Sequence, residues 1–155
     1  MNLKDLLNEE AIFLDFEANS HDDAIRQISK NLKLKGFVND EEKFFNALQY
    51  RELMMHTSLN DGIAVPHGCS SSVEKPVLAV SISKHGINWE AEDKKPAKLF
   101  FTLALKKEER DLQVEAIQAI ALYSLDDQFH EKIQKATTPS KVYKILLEHF
   151  PEMND

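Results

Sequence analysis

The sequence predicts a single α/β domain in which helices cover both faces of a central, mixed β-sheet. Three observations predict this fold. The 155 residues are enough chain for one domain. Short apolar and β-branched runs alternate with longer segments of helical periodicity. Hydrophobic residues make up 43% and charged residues 29%, which is typical of a globular protein. We therefore expect residues 1–155 to form one domain.

The first third predicts one strand followed by two helices. Residues 12–16 (IFLDF) have the composition of a short strand. Ser20 is placed to cap a helix that ends at Gly36, and Asn39 or Asp40 is placed to cap the next one. The apolar face of the first helix consists of Ala24, Ile25, Ile28 and Leu32.

The middle of the chain predicts three strands. Residues 63–65 (IAV) indicate a short buried strand that Pro66 stops. Residues 77–83 and 98–105 predict two longer strands, of which the second is apolar enough to be central. A turn is expected between them at residues 85–88.

The last third is predicted to be helical. Residues 112–125 suit a mostly buried helix. Asp126 is placed to cap a second helix, and Thr138 a third with Pro139 at its first position.

Charge and composition exclude several classes of function. The formal net charge is −7, which argues against nucleic acid or an anionic membrane surface as a main partner. Cys69 is the single cysteine, so neither an internal disulfide nor a cysteine-based zinc site is expected. The N-terminal residues lack an apolar leader, and no apolar stretch approaches the ~20 residues of a transmembrane helix. We expect a cytoplasmic protein.

His67 is the histidine whose context favours chemistry. It follows a short buried run and Pro66, which stiffens the backbone, and it precedes Gly68, which allows close approach. The alternative is a structural histidine, hydrogen-bonded at a strand end. His67 and Cys69 lie two residues apart, but no second ligand pair with metal spacing follows, so no metal or cofactor is expected. His56 is ambiguous, and the remaining histidines are expected to be solvated or structural: His21, His85, His130 and His149.

Residues 51–68 (RELMMHTSLNDGIAVPHG) form a longer pattern around this histidine. The pattern resembles the active-site signature of the EIIA domains of the fructose/mannitol family (EIIA type 2) in the bacterial phosphoenolpyruvate-dependent sugar phosphotransferase system. The spacing from Arg51 to His67 matches without a gap. The resemblance covers nearly the whole chain, since residues 75–77, 86–89 and 125–129 also look like family segments.

The resemblance implies a phosphocarrier with a phosphohistidine intermediate. His67 would accept a phosphoryl group from phospho-HPr and pass it to an EIIB domain, and the membrane component EIIC would be served indirectly. Neutral imidazole is a good nucleophile near pH 7. Arg51 would stabilise the phosphoryl charge. The alternative for Arg51 is a surface arginine that pairs with Glu52 or Glu41.

Two departures from the family pattern concern the site. Many members have a second histidine at the start of the long helix of the last third, where this chain has Gln113. Its amide could donate a hydrogen bond to a phosphoryl oxygen but could not carry charge. Galactitol-type members look similar at this position. Ser58 and Asn60 stand where glycines are usual, and Asn60 tolerates a left-handed backbone better than Ser58.

The resemblance also leaves a second class of function open. Related EIIA-like modules of the nitrogen type regulate partner proteins according to their phosphorylation state. Phosphorylation adds about −1.5 to −2 charge, which is enough to switch an interface. In either case the apolar residues near His67 would form a docking rim or belong to the core, namely Leu53, Met54, Met55, Leu59 and Ile63.

Overall fold

A computed structural model describes residues 3–150 of the chain. The strands are β1 (Leu7–Phe13), β2 (Ile63–Ala64), β3 (His67–Cys69), β4 (Val77–Ile87) and β5 (Ala97–Leu105). The α-helices are α1 (His21–Leu34), α2 (Glu41–Met54), α3 (Arg110–Tyr123), α4 (Asp127–Lys135) and α5 (Pro139–His149). Short 3-10 helices span Leu3–Leu6 and Lys107–Glu109.

The described strands form one mixed sheet. Its order is β1-β4-β5-β2, and β3 also pairs with β5 beyond the end of β2. The β4–β5 pair is antiparallel, whereas β1 is parallel to β4 and both β2 and β3 are parallel to β5. The predicted α/β class is confirmed, and β5 is the central strand that the sequence predicts.

Helices cover both faces of this sheet, as predicted. Leu99, Phe101 and Leu103 of β5 belong to one core cluster together with the buried residues of α3, α4 and α5. Phe100 and Ala104, which alternate with them, belong to a second cluster with the buried residues of α1 and α2. The period of two along β5 therefore separates two cores, one on each face of the sheet.

Four predicted helix caps are confirmed. The side chains of Ser20, Asp40, Asp126 and Thr138 each accept a hydrogen bond from a backbone N–H in the first turn of the helix that follows. Each cap satisfies one of the donors that a helix leaves free at its start.

The prediction for the first strand is wrong in its bounds. The strand covers Leu7–Phe13 rather than residues 12–16. Its register against β4 shifts between Leu7 and Ile12, so the polar residues between them do not alternate as in a regular strand. The backbone is left-handed at Asp15, with φ of 55°, which ends the extended conformation.

The turn predicted at residues 85–88 is also wrong in part. β4 continues to Ile87, and its register against β5 shifts between Ile82 and Ile87. Gly86 has φ of 81°, so the glycine marks a bulge within the strand and not a turn between strands.

Two further expectations need correction. Pro66 interrupts the strand predicted at residues 63–65 but does not end it, because the chain resumes pairing with β5 at His67. Helix α3 is not mostly buried, since Val114 is 60% exposed and Leu122 is 69% exposed. Its buried residues are Ala116, Ala119 and Ile120. Within residues 3–150, none of the helices has the length and apolarity needed to cross a membrane.

We predict that Gly86→Ala destabilises the protein more than Gly36→Ala. Both glycines are left-handed, with φ of 81° and 82°, and alanine pays roughly 1–2 kcal/mol for that backbone. A Cβ at Gly86 would also lie 2.7 Å from Pro96 Cβ, whereas one at Gly36 would meet nothing within 4 Å. Overpacking adds about 1–3 kcal/mol. Urea denaturation of both variants measures the difference, and equal losses would contradict the contact with Pro96.

Candidate functional site

The edge of the sheet places His67 opposite β5. β2 and β3 pair one after the other with β5. Ala64 is in register with Phe100, and His67 is in register with Leu103. The ladder continues across the gap because the carbonyl of Pro66 accepts a hydrogen bond from the N–H of Leu103 (3.1 Å). Since paired residues point to the same face, the His67 side chain lies on the α3 side of the sheet.

Gly68 allows helix α2 to approach the opposite face of β3. A Cβ at Gly68 would lie 3.3 Å from Ala47 Cβ, in the middle of α2. This close packing brings the C-terminal turn of α2, which carries Arg51, to the edge of the sheet beside His67. Gly68 therefore allows the helix to pack closely, and His67, the residue before it, contacts Arg51.

The imidazole of His67 is fixed in one tautomer. Its Nδ1 lies 2.7 Å from the carbonyl oxygen of Val65. Because a carbonyl only accepts, Nδ1 carries the proton and donates it to this bond. Nε2 then keeps its lone pair and accepts a hydrogen bond from Arg51 Nε–H (3.0 Å). The ring presents a neutral, unprotonated Nε2 to the guanidinium.

Burial and charge keep this imidazole neutral. His67 is 4% exposed, and burial lowers the pKa of His67 below its ordinary value. The hydrogen bond with Val65 raises the pKa, the positive charge of Arg51 lowers it, and Glu52 raises it slightly. The net effect is a lowered pKa, so the ring stays unprotonated, and nucleophilic, further into the acid range.

Arg51 is held by two hydrogen bonds. Besides its bond to His67, its Nη1–H donates to the carbonyl oxygen of Met55 at the end of α2 (2.8 Å). The alternative expectation, a pairing with Glu52 or Glu41, is not found in the described chain, where Glu52 binds His21 and Thr57 and Glu41 lies 3.7 Å from Arg26. The guanidinium therefore faces the imidazole instead of a carboxylate.

Glu52 is a site residue that the sequence reasoning missed as a functional group. It is 3% exposed. Its carboxylate accepts hydrogen bonds from the N–H of Thr57 (3.2 Å), from Thr57 Oγ1 and from His21 Nε2 (2.9 Å). These bonds fix the segment that follows Arg51. The buried charge of Glu52 raises the pKa of His21 above its usual value, although burial acts in the opposite direction.

Gln113 lies on the same side of the sheet as His67, but at Cys69. The Sγ of Cys69 donates to Gln113 Oε1 (3.2 Å). Within residues 3–150, no hydrogen bond joins Gln113 to His67 or to Arg51. Burial raises the pKa of the Cys69 thiol, and Arg110 in the first turn of α3 opposes this shift. Arg110 is thus a second cation on this side, and the sequence reasoning did not single it out.

Ser58 and Asn60 are not the left-handed residues of the turn before β2. The left-handed residues there are Asp61 (φ 64°) and Gly62 (φ 78°). Neither Ser58 nor Asn60 is among the described residues with positive φ. The usual glycines are therefore not needed for backbone conformation at these two positions.

The surface next to Arg51 is apolar. Leu53, Met54 and Met55 are 80%, 69% and 71% exposed. We call these three residues the apolar rim. Ile63 is buried in the core, and Leu59 packs against it. Neighbouring exposed apolar side chains of this kind are typical of docking surfaces, which favours a docking role for the rim.

The fold and the site together define a class of protein. An α/β domain presents a neutral, buried imidazole whose unprotonated nitrogen accepts a hydrogen bond from a guanidinium. This arrangement suits the transfer of an anionic group through histidine.

Comparison with known families assigns the chain. The model described as "Phosphoenolpyruvate-dependent sugar phosphotransferase system, EIIA 2" matches residues 5–149. The chain belongs to this family, whose members are phosphotransfer proteins, and the resemblance found in the sequence is confirmed.

Three curated relatives illustrate its range. The chain is 26% identical over 149 residues (96% of the chain) to the PTS system fructose-specific EIIABC component of Bacillus subtilis (strain 168), but it spans only 24% of that protein. It is 26% identical over 132 residues to the PTS system fructose-like EIIA component of Escherichia coli (strain K12), covering 85% of this chain and 89% of that one. It is 26% identical over 147 residues to the nitrogen regulatory protein of Bradyrhizobium diazoefficiens, covering 94% and 95%.

A solved structure is also similar. In the complex of enzyme IIA mannitol and phosphorylated enzyme IIB mannitol from Escherichia coli, one chain aligns with a TM-score of 0.76 and 26% identity, covering 92% of this chain and 97% of that one. The fold of this chain is therefore similar to that of the mannitol protein over most of its length.

We predict that Arg51→Gln raises the pKa of His67. Removing the guanidinium charge removes one cause of the lowered value, but burial, the larger cause, remains. The pKa should rise without passing its ordinary value, and ¹⁵N NMR titration of the imidazole measures it. Arg26→Gln, in an exposed pair with Glu42 (2.7 Å), is the control. An unchanged His67 pKa in Arg51→Gln would show that the two side chains do not interact in solution.

Proposed function

We propose that this chain is the EIIA phosphocarrier of a sugar phosphotransferase system. In this proposal His67 accepts a phosphoryl group from phospho-HPr and passes it to an EIIB domain, for the uptake of a sugar or sugar alcohol. The observation that carries the proposal is the unprotonated Nε2 of His67, in a ring that is aligned by its hydrogen bonds with Val65 and Arg51.

The proposed transfer uses the tautomer that the Val65 carbonyl selects. The lone pair of Nε2 attacks phosphorus, a P–N bond forms, and the bond between phosphorus and the HPr donor breaks. The proton on Nδ1 stays in its hydrogen bond with Val65. The ring becomes positively charged, and the Val65 carbonyl stabilises that charge. Attack by the EIIB acceptor breaks the P–N bond and restores the neutral ring.

Arg51 has two consecutive tasks in this proposal. Before transfer, its Nε–H is bonded to the lone pair that must attack. The guanidinium therefore turns from Nε2 to the equatorial phosphoryl oxygens as phosphorus approaches. There it neutralises charge in a loose transition state, for which its fork of donors is suited. Met55 keeps one end of the guanidinium in place.

The proposed partners fit the surface around the site. The apolar rim borders Arg51, where a donor or acceptor protein must dock to reach a histidine that is 4% exposed. The net charge of −7 is compatible with a partner surface of basic and apolar character. We place the protein in the cytoplasm, with the membrane EIIC component reached through EIIB.

The relatives support this function without identifying the sugar. The solved complex with phosphorylated enzyme IIB concerns a mannitol protein, and the first curated relative is fructose-specific. The chain spans a quarter or less of that multidomain relative. Sugar specificity lies outside the site described here, because no sugar needs to contact His67.

A regulatory role is the second candidate, and one comparison favours it. The nitrogen regulatory protein of Bradyrhizobium diazoefficiens matches over nearly its full length. Phosphorylation of His67 would then add a charge of about −1.5 to −2 next to the apolar rim. That charge would alter the binding of a partner protein. Rapid transfer of the phosphoryl group to an EIIB domain distinguishes the carrier from the regulator.

We predict that the wild type gains one phosphoryl group, about 80 Da, when it is incubated with phosphoenolpyruvate, enzyme I and HPr. Intact mass spectrometry measures the gain. His67→Ala should gain nothing, because its nucleophile is lost. His85→Ala, which removes an exposed histidine elsewhere, should behave as the wild type. A wild type that stays unmodified by active HPr would overturn the carrier function.

We predict that Gln113→His increases the rate of onward transfer to an EIIB domain and leaves the phosphorylation of His67 intact. An imidazolium could supply the charge that the amide lacks. Quench-flow measurement of phospho-EIIB formation gives the rate, with Gln118→His, at an exposed position five residues further along α3, as the matched control. A rate equal to that of the wild type would mean that position 113 does not contact the transferring group.

A further inference from the structure

Three side chains of types that bind metal ions form a cluster next to the proposed phosphoryl site, since Glu52 directly follows Arg51. The nitrogen or oxygen donors of His21, Glu52 and His56 all lie within 4.8 Å of one another. In the part of the chain that the structure describes, this is the one such group of three or more histidine, cysteine or acidic side chains. The sequence reasoning did not find it, because the three residues come from the start of α1, the end of α2 and the segment after α2.

We propose that His21, Glu52 and His56 bind one divalent transition-metal ion of the zinc type. Two imidazoles and one carboxylate suit Zn²⁺, Ni²⁺ or Cu²⁺, whereas Mg²⁺ and Ca²⁺ prefer oxygen donors alone. Three protein ligands leave a fourth position for water.

The geometry needs one modest rearrangement. His21 Nε2 and Glu52 Oε2 are 2.9 Å apart, and donors in a tetrahedral zinc site lie roughly 3.3–3.5 Å apart for bonds of about 2.0–2.1 Å. Replacing the hydrogen-bonded proton between them with a metal ion therefore moves them by less than 1 Å. His56 has to move further, and its side chain is 42% exposed and paired with Glu90, whose side chain is itself 69% exposed.

The surroundings of the three ligands favour a cation. Thr57 holds the Glu52 carboxylate through its N–H and its hydroxyl, which fixes the ligand before the metal arrives. Asp22 Oδ1 lies 3.7 Å from His21 Nδ1, so it favours the proton on Nδ1 and leaves Nε2 for the metal. Glu90 lies 3.1 Å from His56 Nε2 and adds a second negative charge.

Solvent and metal have a route to the cluster. A cavity of about 600 Å³ is lined by all three proposed ligands and by Asp22, Gln49 and Glu90. Gln49 Oε1 is buried and has no hydrogen-bond partner among the described residues. A water on the fourth metal position would bring a donor into this cavity.

The bound ion would connect three segments of the chain. It would hold the start of α1, the last turn of α2 and His56. His56 directly follows Met55, and the Met55 carbonyl orients Arg51. Binding releases the proton that now lies between His21 and Glu52 to solvent. The ion therefore stabilises the segment that supports the guanidinium, independently of whether the chain is a carrier or a regulator.

The test is a titration of the tag-free protein with Zn²⁺ against a chromogenic chelator. We expect one ion per chain in the wild type, an affinity at least 10-fold lower in His56→Ala, and an unchanged affinity in His85→Ala and His67→Ala. Zn²⁺ should raise the melting temperature of the wild type and of His85→Ala but not of His56→Ala. Mg²⁺ should raise none of them.

Three results would overturn the proposal. They are a wild type without stoichiometric binding, equal affinity in His56→Ala and the wild type, or loss of binding in His67→Ala, which would place the ion at His67 and Cys69. Because His56 is exposed, His56→Ala should fold normally, and circular dichroism verifies this. Glu52→Gln, which keeps the shape of the buried side chain, is the second variant and should weaken binding as His56→Ala does.

Discussion

The structure of the site depends on one pair of hydrogen bonds, which fixes His67 from both ring nitrogens. The Val65 carbonyl accepts from Nδ1–H, and Arg51 donates to Nε2. The Val65 bond fixes the proton on Nδ1, and the Arg51 bond holds the lone pair of Nε2 toward the guanidinium. Together with burial they leave a single neutral form. The β2–β3 edge, the close packing at Gly68 and the end of α2 are the elements that bring these groups together.

Much of the fold could be predicted from the sequence because its signals are local. Helix caps such as Ser20 and Thr138 depend on the next three residues, and the central strand is recognisable from its continuous apolar run. The errors arose where the backbone is irregular. A register shift obscured the first strand, and a bulge at Gly86 looked like a turn. Bulges depend on the partner strand, which a single segment of sequence does not contain.

The candidate site was predictable to a different extent. His67 and Arg51 stand in one continuous motif, so their proximity followed from the resemblance. Other contacts of the site join residues that are distant in sequence. They are the contacts of Cys69 with Gln113 and Arg110 and the hydrogen bond of Glu52 with His21. No spacing rule connects them, because they meet only after α1, α2 and α3 have packed on the sheet. Of these residues, Glu52 alone stands next to a predicted site residue in the sequence, because it directly follows Arg51.

Burial of the nucleophile and exposure of its apolar surroundings are two aspects of one requirement. A histidine that is 4% exposed is protected from protonation and from water, but it cannot reach a donor without a partner that fits closely. The apolar rim supplies a surface whose desolvation favours such docking, and methionine adapts to more than one partner. A carrier must meet a donor and then an acceptor at the same histidine. An adaptable rim around a rigid imidazole therefore serves transfer better than a rim shaped for a single partner.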